Sequence, residues 1–244
     1  MGNAIVVGGS TGIGRGIADA WAGSGFDVTV YSRSEPVGDG ATSLRWCQLD
    51  FRDAAAARTV IEGTLPHTID LVCYSSIYYT SKRQYFPDVS ECDWIDQLKI
   101  NLHGLWIVLK SMIPTLRQAG PGVFLSVSSE VVYNAGPARS GYAATKAAAA
   151  SLVESVAQEE DADDIRFVQV LPAGMVDTPG IRARRPADFD YSDYMTPADF
   201  KPFAGNLAES RAKDMAGDVF VVAKGGSWHS LHDGVPVSQS RALS

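Results

Sequence analysis

Tyr142 and Lys146 stand four residues apart in GYAATKAAAAS, the run from Gly141 to Ser151. Four residues are about one turn of α-helix, so the two side chains share a face. A free tyrosine titrates near ~10 and carries protons poorly at neutral pH. A neighbouring ammonium favours the phenolate and lowers that value. A tyrosine–lysine pair at this spacing therefore suits proton exchange with a substrate oxygen. A helix that only packed would need neither side chain.

A second motif lies at the start of the chain, in VVGGSTGIGRGIA. Gly8, Gly12 and Gly14 form G-x-x-x-G-x-G, with Ser10, Thr11 and Ile13 between them. Glycines let the chain turn tightly and let a pyrophosphate approach the backbone. The helix that follows offers free N–H groups and the positive end of its dipole to such an anion.

These motifs need strands and helices to hold them. Short apolar runs predict strands at Ala4–Val7, Val28–Tyr31, Leu44–Leu49, Ile69–Tyr74, Val123–Val127, Arg166–Leu171 and Val219–Ala223. Helical periodicity lies between most of them. It places Ile17 with Trp21, and it aligns Trp94, Leu98, Leu102 and Leu105 along one long helix over 90–119. Unbroken apolar strands separated by helices predict a parallel sheet covered on both faces. The expected architecture is a doubly wound, three-layer α/β/α domain with a seven-stranded, mostly parallel sheet. One domain spans 1–244, with an irregular loop at about 172–216 that is expected to carry function.

Composition narrows the field. The chain of 244 residues carries a net charge of -7, which gives no help to nucleic-acid or anionic-membrane binding. No apolar run approaches the ~20 residues needed to span a bilayer, and no secretory leader is evident. Cys47, Cys73 and Cys92 are scattered, as expected of free thiols in a reducing cytoplasm. The spacing of His229 and His232 lacks supporting ligands, so no metal is expected.

Taken together, the glycine turn and the Y-x-x-x-K pair resemble the short-chain dehydrogenase/reductase family, and the likeness covers essentially the whole chain. The resemblance implies a Rossmann-type fold and a catalytic set of Asn101, Ser129, Tyr142 and Lys146, with Ser128 as the alternative to Ser129. In this family the serine polarises the substrate oxygen and the tyrosine exchanges the proton. The lysine holds the ribose, and the asparagine holds a water that relays protons to it. The resemblance also places Asp50 and Phe51 at the adenine, and Pro172, Val176 and Thr178 near the nicotinamide.

After the second strand the family's NAD-preferring members carry an acid. Ser32 and Arg33 stand there instead, and a guanidinium binds a 2′-phosphate that a carboxylate would repel. NADP(H) is therefore favoured over NAD(H), with Arg15 as a second candidate for the phosphate. Two stretches depart from the family pattern. Cys73, Tyr74, Ser75 and Ser76 replace N-N-A-G beside the cofactor, and Ala173 is inserted between Pro172 and Gly174.

The implied activity is an NADP(H)-dependent interconversion of a ketone or aldehyde with an alcohol. A catalytically silent NADP(H)-binding sensor is the alternative. Aromatic residues, among them Tyr78, Tyr79, Tyr133 and Tyr191, point to a medium-to-large, partly apolar or aromatic substrate. Arg182, Arg184 and Arg185 are read either as a solvated face or as a site for an anionic group. The small residues of 143–151 imply helix-mediated assembly into a homodimer or homotetramer.

Overall fold

The computed structural model describes residues 2–80 and 82–232. Five of the elements build the nucleotide half: β1 (Asn3–Val7), α1 (Gly12–Gly23), β2 (Asp27–Ser32), β3 (Leu44–Gln48) and α2 (Ala54–Thr64). β4 (Leu71–Tyr74), α3 (Glu91–Gln97), α4 (Gly104–Ala119), β5 (Gly122–Val127) and α5 (Ser140–Glu159) follow. The chain then runs through β6 (Ile165–Pro172), α6 (Pro179–Arg182), α7 (Lys201–Ser210), β7 (Val219–Val222) and β8 (Trp228–Ser230).

The sheet order is β3-β2-β1-β4-β5-β6-β7-β8, parallel except for β8. Order reverses between β1 and β4, the crevice where ligands bind in doubly wound sheets. Val7 lies opposite Tyr31 on one side and Tyr74 on the other, so the strand ends open at one edge. Alternate β1 residues serve opposite faces, as strand geometry demands. Val6 joins the core beneath α1 and α7, with Trp21, Phe203 and Leu207. Ile5 and Val7 join the core beneath α2, α4 and α5, with Ile61, Met112 and Val153.

Two expectations change. The sheet has eight strands rather than seven: Gly225 and Gly226, both at φ 86°, turn the chain back so that β8 pairs antiparallel with β7. The helix expected over 90–119 is three contiguous segments, with a π-helical stretch at Leu98–His103 between α3 and α4. The wider turn shifts the helix phase. Leu105 enters the core, whereas Leu98 and Leu102 border a surface groove with Trp106. The tail from 233 to 244 lies outside the described residues. Among the described residues, no helix is long and apolar enough to cross a membrane.

Candidate active site

A cavity of about 780 Å³ opens at the β1–β4 switch point and runs from the first glycine turn to the head of α5. Gly8, Ser10, Thr11, Gly12 and Ile13 line one end. Gly8 adopts φ +86°, and a Cβ there would come within 2.5 Å of the Ser76 amide nitrogen. Gly14 lies outside the lining. A Cβ on it would press 2.4 Å from the Gly8 carbonyl, so its role is to bring α1 close to the turn. The first turn of α1 carries no acidic residue, and Thr11 makes no side-chain cap, so its N–H groups face the cavity without a competing carboxylate. This cradle fits a dinucleotide pyrophosphate.

Ser32, Arg33, Asp50 and Phe51 line the next stretch, as expected. Arg33 is exposed, and its guanidinium has no hydrogen-bond partner among the described residues. Arg15 is different: its guanidinium bonds Asp19 at 2.7 Å, the Val37 carbonyl at 2.8 Å and the Asp39 carbonyl. It braces the loop after β2 and lies outside the cavity lining. Ser75, Pro172, Val176 and Thr178 also reach the wall. Thr178 caps α6 by accepting from the Ile181 amide, which fixes the segment despite the extra Ala173.

Tyr74 does not reach the cavity. Its ring is buried 6.1 Å from that of Phe51, and its hydroxyl donates to the Ile100 carbonyl. The space comes from Gly104, where a Cβ would meet both rings at 2.7 Å. The bulky replacement in the N-N-A-G stretch is thus absorbed by the core.

At the other end stand Ser129, Tyr142 and Lys146. Ser129 follows β5. Its hydroxyl donates to Glu130 Oε2 at 2.7 Å and accepts from the Val131 amide at 3.4 Å. Arg139 holds the other Glu130 oxygen at 2.8 Å. Ser128 also lines the cavity, but Ser129 is the one near enough to act on the Tyr142 hydroxyl. Lys146 is buried, with Nζ donating to the Val127 carbonyl at 2.5 Å.

The electrostatics differ from the expectation. Burial raises the Tyr142 pKa well above the free value, and Tyr79 adds to the rise, while Ser129 pulls it back. The Lys146 ammonium is turned to the Val127 carbonyl. Burial depresses Lys146 itself to about 8.

Asn101 lies in the π-helical stretch, outside the cavity lining. Its Oδ1 accepts from the Tyr78 amide at 2.7 Å, and its Nδ2 donates to the Tyr78 carbonyl and to Thr145 Oγ1 at 3.2 and 3.1 Å. The amide therefore fastens the segment after β4 to α5.

Of the aromatic residues assigned to substrate, Tyr78 reaches the wall, but its hydroxyl turns away to Asp93 at 2.7 Å. Tyr133 is 57% exposed and outside the cavity. Tyr191 packs outside it with Phe189 and Tyr194. Neither lines the site, because the loops that carry them turn their rings away from it. The ring that does matter is Tyr79: its centroid lies 4.8 Å from that of Tyr142, and the two hydroxyls are 3.3 Å apart. Arg184 stacks over Tyr79 at 4.2 Å. Only the adjacent Tyr78–Tyr79 pair in the sequence hinted at this, since one of two neighbours in extended chain must face the other way.

Known proteins share this sequence pattern and fold. The family model for short chain dehydrogenases matches residues 2–188, and the chain belongs to that family. It is 26% identical over 186 residues to the 3-oxoacyl-(acyl-carrier-protein) reductase FabG of Chlamydia muridarum, covering 72% of this chain and 74% of that one. It is 30% identical over 189 residues to the oxidoreductase UcpA of Salmonella typhimurium, covering 72% and 70%. The crystal structure of a putative NAD(P)-dependent gluconate 5-dehydrogenase from Beutenbergia cavernae, with bound NADP, superposes with a TM-score of 0.79 at 26% identity, covering 92% of this chain and 96% of that one.

Proposed function

We propose that the protein is an NADP(H)-dependent carbonyl reductase or alcohol dehydrogenase acting on a medium-to-large, partly apolar substrate. One observation carries this reading: a phenol held neutral, Tyr142, stands beside the Ser129 hydroxyl in the same cavity as an open helix N-terminus and the free Arg33. A nicotinamide dinucleotide, when bound, supplies or accepts the hydride. The glycine turn holds its pyrophosphate, Asp50 and Phe51 its adenine end, Arg33 its 2′-phosphate, and Val176 and Thr178 its carboxamide. Lys146 holds the ribose. Tyr142 gives its proton to the carbonyl oxygen, and Ser129 polarises that oxygen by turning its O–H from Glu130. A pKa raised by burial keeps Tyr142 protonated, which suits reduction.

The test is a titration with NADPH and NADH, following nicotinamide fluorescence, for wild type and Arg33→Ala. NADPH is expected to bind at least about tenfold tighter, with the gap lost in the variant, as for one charge-assisted contact. Equal affinities in the wild type would reject the NADP(H) assignment. A second reading, nucleotide binding without turnover, draws on the Ser129 hydroxyl being engaged by Glu130. It requires that no carbonyl oxidise NADPH and that Tyr142→Phe change nothing.

Assembly through α4 and α5 also belongs to the proposal. Ile95, Leu98, Leu102, Trp106 and Leu152 line an open groove there, and Trp106 is 42% exposed. A cytoplasmic location fits the free thiols.

A further inference from the structure

Three arginines crowd the loop after β6, and the fold sends them to different places. Arg182 is exposed and doubly bonded to Asp177, both contacts at 2.6 Å, with Tyr191 beneath it. Arg185 bonds the Tyr194 hydroxyl at 3.1 and 3.3 Å and packs on Phe189. Arg184 alone turns onto the Tyr79 ring, half-buried in the cavity wall. Its guanidinium has no hydrogen-bond or ion-pair partner among the described residues. Glu130, the carboxylate at this end of the cavity, is already held by Ser129 and Arg139.

A guanidinium taken out of water without a counter-charge is costly. Burial lowers the Arg184 pKa, with Tyr79 and Tyr142 opposing and the like charges of Arg185 and Arg83 adding to the fall. Lys82 and Arg83 line the same end, so the excess of positive charge is local, in a chain whose net charge is -7. The planar fork of an arginine matches a carboxylate in two parallel hydrogen bonds. Arg184 and Tyr142 contact the same Tyr79 ring, so a ligand that touches both is short.

We propose that Arg184 anchors a carboxylate of the substrate, so that the enzyme acts on oxo acids, or the matching hydroxy acids, whose reacting oxygen lies at Tyr142. The carboxylate stands a few carbons from the reacting carbon, and the Tyr79 ring sets that separation. This inference rests on the carbonyl-reductase reading and names its substrate class.

The test compares acid with neutral ester. NADPH oxidation is followed with 2-oxo-4-phenylbutanoate and 4-oxo-4-phenylbutanoate, each against its methyl ester, for wild type, Arg184→Met, Arg184→Lys and the surface control Arg182→Met. Wild type is expected to prefer at least one acid over its ester by about 10- to 100-fold in kcat/KM, the range of a charged hydrogen bond. Arg184→Met should erase the ratio, Arg184→Lys keep part of it, and Arg182→Met leave it intact. A ratio near unity in wild type, or one that survives Arg184→Met, overturns the proposal. So does a preference for acetoacetyl-coenzyme A over acetoacetyl-N-acetylcysteamine without an acid preference, because the cations would then serve a phosphate.

A calorimetric arm needs no turnover: NADP⁺-loaded protein is titrated with 4-phenylbutanoate and with 4-phenylbutanamide. If no carbonyl is reduced, the reductase reading fails. Selective binding of the acid that Arg184→Met abolishes still upholds the anchor, and equal binding of acid and amide overturns it. Thermal melts establish that each variant is folded.

Discussion

Replacing Tyr79 with phenylalanine tests how the site sets its proton. The Tyr79 hydroxyl lies 3.3 Å from that of Tyr142, and the ring packing depends on neither oxygen. After burial, Tyr79 is the largest influence raising the Tyr142 pKa, and it acts both through its charge distribution and as a hydrogen-bond partner. A neutral hydrogen bond contributes about 0.5–1.5 kcal/mol, and this one is long, so the lower end applies. The Tyr142 pKa should therefore fall in Tyr79→Phe. The sign follows from the role. Reduction needs the phenol protonated, so kcat/KM for reduction is lost as pH rises through that pKa. In the variant the loss should begin at lower pH. Alcohol oxidation needs the phenolate, so its rising limb should shift down by the same amount. The assay is a pair of pH profiles of kcat/KM, one in each direction, for wild type and variant. Limbs that stay in place, or move up, would show that Tyr79 does not govern the proton affinity of Tyr142.

Other perturbations probe other parts. Gly8→Ala forces a Cβ to 2.5 Å from the Ser76 amide at positive φ, and it should cost about 1–3 kcal/mol of stability in chemical denaturation and weaken nucleotide binding. Gly104→Ala should destabilise by about 1–3 kcal/mol in the same assay, since its Cβ meets Tyr74 and Phe51 at 2.7 Å. Lys146 has a folded pKa of about 8, below its free value of 10.5. The unfolded chain therefore binds more protons between those values, and this residue's contribution to stability rises with pH across that window. Lys146→Met should be more stable than wild type at neutral pH, with the difference shrinking between pH 8 and 10.5. Trp106→Glu places a charge in the α4–α5 groove and should yield monomers by light scattering.

Local spacing explains what the sequence made legible. The glycine turn and the Tyr142–Lys146 pair are each contained in one turn or one helix, so residue type and offset specify them. Ser129 and Arg33 sit at strand ends, where the parallel order leaves the chain one direction in which to go. Side-chain direction elsewhere was not local. Tyr74 lies at the end of a strand beside the cofactor region, yet a distant glycine on α4 opens the hole that takes its ring. Tyr133 and Tyr191 were placed near the substrate by loop position alone, and their rings turn outward. The π-helical stretch around Asn101 leaves no mark that helical periodicity would register. The eighth strand did carry a signal, because the Gly225–Gly226 pair after the apolar run of β7 is a hairpin turn pattern. Its three residues were too few to stand out by periodicity.

Burial moves Tyr142 and Lys146 in opposite directions, and both toward neutrality. Tyr142 is held protonated, and Lys146 is brought down to about 8. The sequence pattern alone suggests a lysine that makes its tyrosine acidic, whereas burial holds the phenol neutral. A site that disfavours its own charges gains most from ligands that bring complementary ones. On the proposed reading these are a phosphate for Arg33 and a carboxylate for Arg184, at opposite ends of one cavity. Each guanidinium lacks a protein partner among the described residues, so each binding step removes an unmatched charge rather than replacing an existing ion pair. Specificity for both cofactor and substrate would then arise from cations the fold leaves unpaired. The Tyr79 ring, between Arg184 and Tyr142, fixes only the distance from carboxylate to proton donor.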